Sequence, residues 1–203
     1  MKQKSLVASG LVSEGRVTEG TIVPLTRDLQ NRNQAKIDLA KAPVPEKRYT
    51  CNLVDVLASE TGANFIFGQK KLVGSGLRSL IVVTMQGDAL VNFADSIIGF
   101  AETRALLEQQ GIVDGKLESI TEEPAQTVAL SASIVYAGYS GRSSCIDFYY
   151  ASPFSIQEMR QFSQLRVEPV VRVMLSTPLF LAVTTKITEI AKQFRAVIGE
   201  TDG

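Results

Sequence analysis

The 203-residue chain balances 21 Lys plus Arg against 21 Asp plus Glu and is 45% hydrophobic, enough apolar surface for a packed core. Zero net charge leaves no field to draw the protein toward nucleic acid or an anionic membrane, so neither is expected as a partner. With no histidine and two cysteines, Cys51 and Cys145, the chain cannot build Ser-His-Asp or Cys-His catalysis, a histidine-ligated metal, or a four-thiolate cluster.

The first residues, Met1-Lys2-Gln3-Lys4 and then Leu6-Val7-Ala8, hold no apolar run of the roughly 7 to 15 residues a signal peptide needs, so a cytoplasmic location is expected. Ser13 to Gly20 repeats a polar-glycine theme before Thr21-Ile22-Val23 and reads as an edge hairpin. Pro43-Val44-Pro45 disfavours helix, which makes residues 1–48 an N-terminal arm.

A first unit follows over residues 49–111. Cys51 to Ala58 reads as a strand, Glu60-Thr61-Gly62 as a turn, Asn64 to Gln69 as the returning strand and Leu77 to Met85 as a third. Leu80-Ile81-Val82-Val83 is apolar on both faces, which puts the third strand in the middle of a sheet. Asp88 is a suitable cap for a helix running to about Gln110, where Gly111 stops it.

Polar residues 112–126, with Pro124, read as a linker, and the pattern then restarts in a second unit over 127–203. Thr127 to Tyr139, Cys145 to Tyr150 and Val167 to Leu175 are the strands, and Thr177-Pro178 starts a helix to about Ile198. Val170 to Val183, the most apolar stretch, is interrupted by Arg172 and Pro178 and is shorter than the ~20 residues of a membrane helix. Shifting one helix onto the other by ninety positions lays Leu90, Phe93, Ile97, Phe100, Arg104 and Leu107 on Phe180, Val183, Ile187, Ile190, Phe194 and Val197. Both sets have the spacing of a buried helical stripe, broken only by Arg104. The predicted fold is therefore α+β, two tandem βββα units forming antiparallel sheet packed by two long helices.

The second unit alone carries an insertion, Ala151 to Leu165. Within it Ser155-Ile156-Gln157-Glu158 matches a capping box, predicting a short helix with Ile156, Met159 and Phe162 along one side. That helix reads as a lid, a partner-docking element or a cover for its own core. Asp147 and Arg172 each interrupt an apolar strand, and pairing of those strands would set the two charges opposite each other, as a structural ion pair or as a ligand site with Tyr136, Tyr149 and Tyr150. Along the first helix Val91, Ala94, Ile98, Ala101 and Ala105 form a second apolar row, the mark of a helix sandwiched within the chain or of a subunit interface. Gly74-Ser75-Gly76 and Ser140 to Ser144 match no phosphate-binding motif and read as turns.

The second unit, through Tyr136-Ala137, Asp147-Phe148 and Arg172-Val173-Met174-Leu175-Ser176-Thr177-Pro178, resembles a small prokaryotic domain of unknown function with a Tyr-Ala-Asn, Asp-Phe and Met-Ser-Pro signature. Gly138 stands where that family has Asn, and Thr177 is inserted before the proline. The resemblance covers about a third of the chain and implies a compact β-rich unit closed by a helix and paired with a second copy; it implies no activity. No cofactor, metal or catalytic residue is expected. The expected function is non-enzymatic: a homo-oligomeric scaffold or protein-binding protein, chaperone-like or part of a larger assembly. A small-ligand binder or enzyme using Asp147, Arg172 and the tyrosines, and a structural subunit of a phage or particle, are the alternatives.

Overall fold

A computed structural model describes residues 11–13, 20–22, 35–37, 42–71, 73, 76–98, 101–120, 127–162 and 165–200. It is an α+β fold. Three short strands come first: β1 (Leu11–Ser13), β2 (Gly20–Ile22) and β3 (Ala35–Ile37). β2 and β3 pair antiparallel, while β1 joins a strand far along the chain; the segment between β1 and β2, where an edge hairpin is expected, lies outside the described residues. Then follow β4 (Arg48–Thr50), β5 (Leu53–Ser59), β6 (Gly62–Lys70), β7 (Leu77–Gln86), α1 (Gly87–Ile98) and α2 (Ala101–Gln109). The later part contains β8 (Val128–Ala132), β9 (Ile134–Ser140), β10 (Ser143–Tyr150), α3 (Pro153–Phe162), β11 (Glu168–Ser176) and α4 (Thr177–Glu200).

Two sheets result, ordered β5-β6-β7-β8 and β1-β9-β10-β11-β4. The expected single strand over 127–139 is two strands in different sheets: β8 runs parallel to β7, the chain bends at Ser133, and β9 runs antiparallel to β10. The same handover occurs at β4 and β5. The Cys51 amide still donates to the Met174 carbonyl beside β11 (2.8 Å), and the next amide, Asn52, donates to the Gly68 carbonyl beside β6 (3.1 Å). Hydrogen-bonded neighbours therefore follow one another around a closed ring, from β5 through β6, β7, β8/β9, β10 and β11 to β4, which is continuous with β5. Closure removes most of the free edge that an open sheet would expose.

The hairpin registers correspond. Adding 81 to each residue number turns the pairs Leu53↔Gly68, Asp55↔Ile66 and Ser59↔Gly62 into Ile134↔Tyr149, Tyr136↔Asp147 and Ser140↔Ser143. On the third strand the offset is ninety, so Ile66↔Val82 corresponds to Asp147↔Arg172 and Gly62↔Gln86 to Ser143↔Ser176. A register irregularity follows Phe67 in one sheet and Phe148 in the other, positions again 81 apart. Even the amide that opens each helix finds a matching acceptor, Gly87 on Thr61 O (2.8 Å) and Thr177 on Arg142 O (2.9 Å).

The inner faces of both sheets and one side of α1 and of α4 share a single core. Phe65 and Phe67 from one sheet meet Phe148 from the other edge-on, each at 5.8 Å between ring centroids, while Val54, Val56, Val83, Val171 and Val173 fill the gaps. Leu90 and Phe93 of α1 and Phe180, Val183, Ile187 and Ile190 of α4 are all buried, as their stripe spacing requires. Gly87 faces Phe194 and Arg104 reaches Thr185, so the helices run antiparallel across one another. The helix expected over 88–110 is described as α1 and α2, with Asp88 inside the first turn of α1 instead of capping it. Arg104, the exception in the stripe, is also explained: it binds Asp114, Glu108 (3.1 Å) and Thr185 (2.9 Å) and pins α2 to α4. No helix among the described residues is long and apolar enough to cross a membrane.

Candidate functional site

Strand alternation gives each sheet an outer face directed away from the shared core. On the first sheet this face is Leu53, Ile66, Leu80 and Val82, sealed by Ile120 from the segment expected to be a plain linker. Asp55, buried there, ties that segment down by accepting from the Ile120 amide (2.9 Å) while its other oxygen accepts from the Val56 amide (2.9 Å). The segment is thus a cover over residues 112–120, with Ile112 in the main core.

The corresponding face of the second sheet has other chemistry. Where Asp55, Ile66, Gly68 and Val82 stand in the first, it presents Tyr136, Asp147, Tyr149 and Arg172. Asp147 and Arg172 are register partners, and the guanidinium grips the carboxylate at both ends, Nε to Oδ1 and Nη2 to Oδ2, each 2.6 Å. This fork geometry and the near-complete burial of Asp147 make it a tight charge-assisted pair. The carboxylate holds the guanidinium above its usual range, chiefly through the hydrogen bond and against the opposing effect of burial.

Tyr149 and Tyr136 continue the face, their rings edge to face at 5.3 Å. Burial above all pushes the Tyr149 phenol up to about 12, with the Asp147 charge and a hydrogen bond to Asp147 adding to it. The Tyr136 hydroxyl is enclosed and has no hydrogen-bond partner among the described residues, and burial pushes its phenol well above the usual range, with Tyr149 adding to the shift. Around the two rings lie Ile134 and Ala151, with Ile156, Leu165 and Val167 packed over them from the insertion. Cys145 is half-buried and raised, first by burial and then by Asp147, whereas Cys51 is buried in the main core and its thiol is pushed up to about 12. Both are free thiols.

The insertion forms a helix, as its sequence predicts, but the cap is not Ser155. Ser152 is the cap, its hydroxyl accepting from the Ser155 amide (3.1 Å), and Pro153 occupies the first helical position, where a missing N–H is harmless. At α4 the cap also stands before the expected residue, here by one position. Ser176 reaches the Leu179 amide (3.4 Å), while the Thr177 hydroxyl, fully buried, donates to Gly141 O (2.9 Å) and accepts from Ser144 (3.0 Å). Of the three insertion residues singled out in the sequence, Ile156 packs on the tyrosine cluster; the side chains of Met159 and Phe162 lie outside those described. Phe154, missed by the sequence argument, stands 78% exposed on the first turn of α3, four residues after the exposed Tyr150.

The row Val91, Ala94, Ile98, Ala101 and Ala105, expected to be sandwiched within the chain or to form a subunit interface, has three described side chains. Ala94 is completely buried and Val91 packs on the main core within one chain, so the sandwiched alternative accounts for both; Ala105 is exposed, and the side chains of Ile98 and Ala101 lie outside those described. Tyr136, Asp147, Tyr149, Arg172 and Ile156 are brought together on one outer face. Comparison of this chain with family models, with curated proteins and with solved structures finds no match.

Proposed function

We propose that the chain is an internally duplicated, non-enzymatic scaffold that associates with itself and with protein partners through the outer side of its second unit. The carrying observation is that two hairpins of the same register bear different outer faces, one a sealed apolar patch and the other a tyrosine and ion-pair cluster under an inserted helix. When two units keep a common backbone, the side chains that differ are those released from maintaining the fold. The first unit serves as the structural half. On the second, Phe154 and Tyr150 give an exposed aromatic rim at the insertion, and large exposed apolar groups are the usual anchors of protein contacts. Balanced charge, 21 against 21, leaves no long-range repulsion to keep copies apart.

Native mass spectrometry of the purified chain tests this. An assembly of two or more copies is expected, and Phe154→Ser should dissociate it while leaving the melting temperature unchanged. A monomer with no bound protein would overturn the proposal.

A further inference from the structure

The geometry points to a binding site for a small, uncharged, flat apolar molecule with one carbonyl oxygen, seated between α3 and the outer face of the second sheet, where the Tyr136 hydroxyl donates to that oxygen. The enclosed hydroxyl of Tyr136 is the first ground. Among the described residues it meets no acceptor, and a buried phenol without one costs about 1 to 3 kcal/mol. Its ring is 94% out of solvent, so the hydroxyl is not simply hydrated at the surface.

The surroundings select the ligand. Ile134, Ala151, Ile156, Leu165 and Val167 offer apolar walls, and the crossed rings of Tyr136 and Tyr149 offer an aromatic floor. Neither an anion nor a cation suits this place. Arg172 already has its charge matched by Asp147, and Asp147 is the register partner of Tyr136, so a second carboxylate would enter the field of the first. Tyr149 is committed to Asp147, which leaves Tyr136 as the available donor. Because burial raises its phenol, Tyr136 stays a neutral donor throughout the physiological range.

Access comes from the insertion. In the first unit residues 71–76 alone separate β6 from β7, whereas in the second residues 151–167, α3 among them, separate β10 from β11. Ile156 is the described α3 side chain that packs on the tyrosines, and it is itself only half-buried. Among the described residues α3 contributes nothing to the main core, so lifting it would leave that core closed.

Nile red is a suitable probe, being neutral, flat and apolar with one ring carbonyl. Titrated into the full chain, it should give saturable, blue-shifted emission with one dye per chain. Tyr136→Phe should weaken its binding about fivefold to tenfold, the effect of one hydrogen bond, without lowering the melting temperature. Phe154→Ser should bind dye as the parent does, and anilinonaphthalene sulfonate, which is anionic, should bind at least about tenfold more weakly. Equal binding by Tyr136→Phe would overturn the inference. So would a lower melting temperature for that variant, which would mean that the hydroxyl has a partner in the free protein, or loss of dye with Phe154→Ser, which would place the dye on the exposed rim. The site is independent of self-association: Tyr136→Phe should leave the native mass spectrum unchanged, and Phe154→Ser should leave dye binding unchanged.

Discussion

Exchanging Asp147 and Arg172 for Ile and Val would give the second sheet the pair that the first sheet already holds at the same register, Ile66 opposite Val82. Arg172→Val alone strands a carboxylate whose side chain is 10% exposed; breaking a buried pair in this way costs about 3 to 5 kcal/mol. The guanidinium side of the site is 24% exposed, so water partly replaces it and the lower figure of about 3 kcal/mol applies. For a chain of this size that is a fall of roughly 6 to 12 °C in melting temperature. Asp147→Ile alone is milder, about 1 kcal/mol, because Arg172 can turn its head to solvent along its apolar stem. The double variant should lie within about 1 kcal/mol of the parent, since well-packed hydrophobic replacements of buried ion pairs are often neutral or stabilising. Urea denaturation of the four proteins reads this as a coupling energy of about 4 kcal/mol. Additive single effects, with coupling below about 0.5 kcal/mol, would mean that the pair is solvent-screened and that register correspondence does not predict which side chains are interchangeable.

Phe93→Asp and Ile187→Asp each place an unpaired carboxylate in the shared core and should cost about 5 kcal/mol, near the lower end of a whole domain's stability, with loss of near-ultraviolet circular dichroism as the readout. Gly62→Ala should destabilise by a few kcal/mol in the same urea assay, because its Cβ would strike the Met85 carbonyl oxygen across the β6–β7 pair. Cys51, its thiol pushed up to about 12, should resist iodoacetamide at pH 8 in the folded protein and react fully in guanidinium. Tyr149 is protonated in the fold to about 12 but to about 10 when unfolded, so the unfolded chain loses its proton first. Its contribution is therefore complete below about pH 10 and lost toward pH 12, and Tyr149→Phe should flatten that part of the stability profile.

The sequence makes the ion pair legible because one charge in each of two apolar strands has nowhere to point but the outer face, and adjacent strands bring such charges together. Helix stripes are legible for the same reason, periodicity being a direct record of which side is buried. The handover of a strand from one sheet to another is not. Ser133 and the Cys51-Asn52 step carry neither glycine nor proline, so local propensity shows no break where the hydrogen-bond partners change. The second row on α1 records burial at Val91 and Ala94 without naming what covers them, because periodicity marks a buried side and not its neighbour. Arg104 looked like a flaw in the stripe because its acceptors, Asp114 and Thr185, come from elements whose approach only the fold reveals. The orphan hydroxyl of Tyr136 is illegible for a similar reason, since an unmet hydrogen bond is a property of neighbours.

The ring of strands also bears on synthesis. β4, complete once residue 50 has been made, finds its neighbour only at Arg172 to Met174, and β5 receives part of its cover from α4. An emerging chain must therefore hold its first hairpins half-dressed until residues 172–174 and the helix after them leave the ribosome, a long-range closure of the kind that slows folding. For this protein the interval between translation and sealing is the period of greatest exposure to proteases and to unintended strand partners.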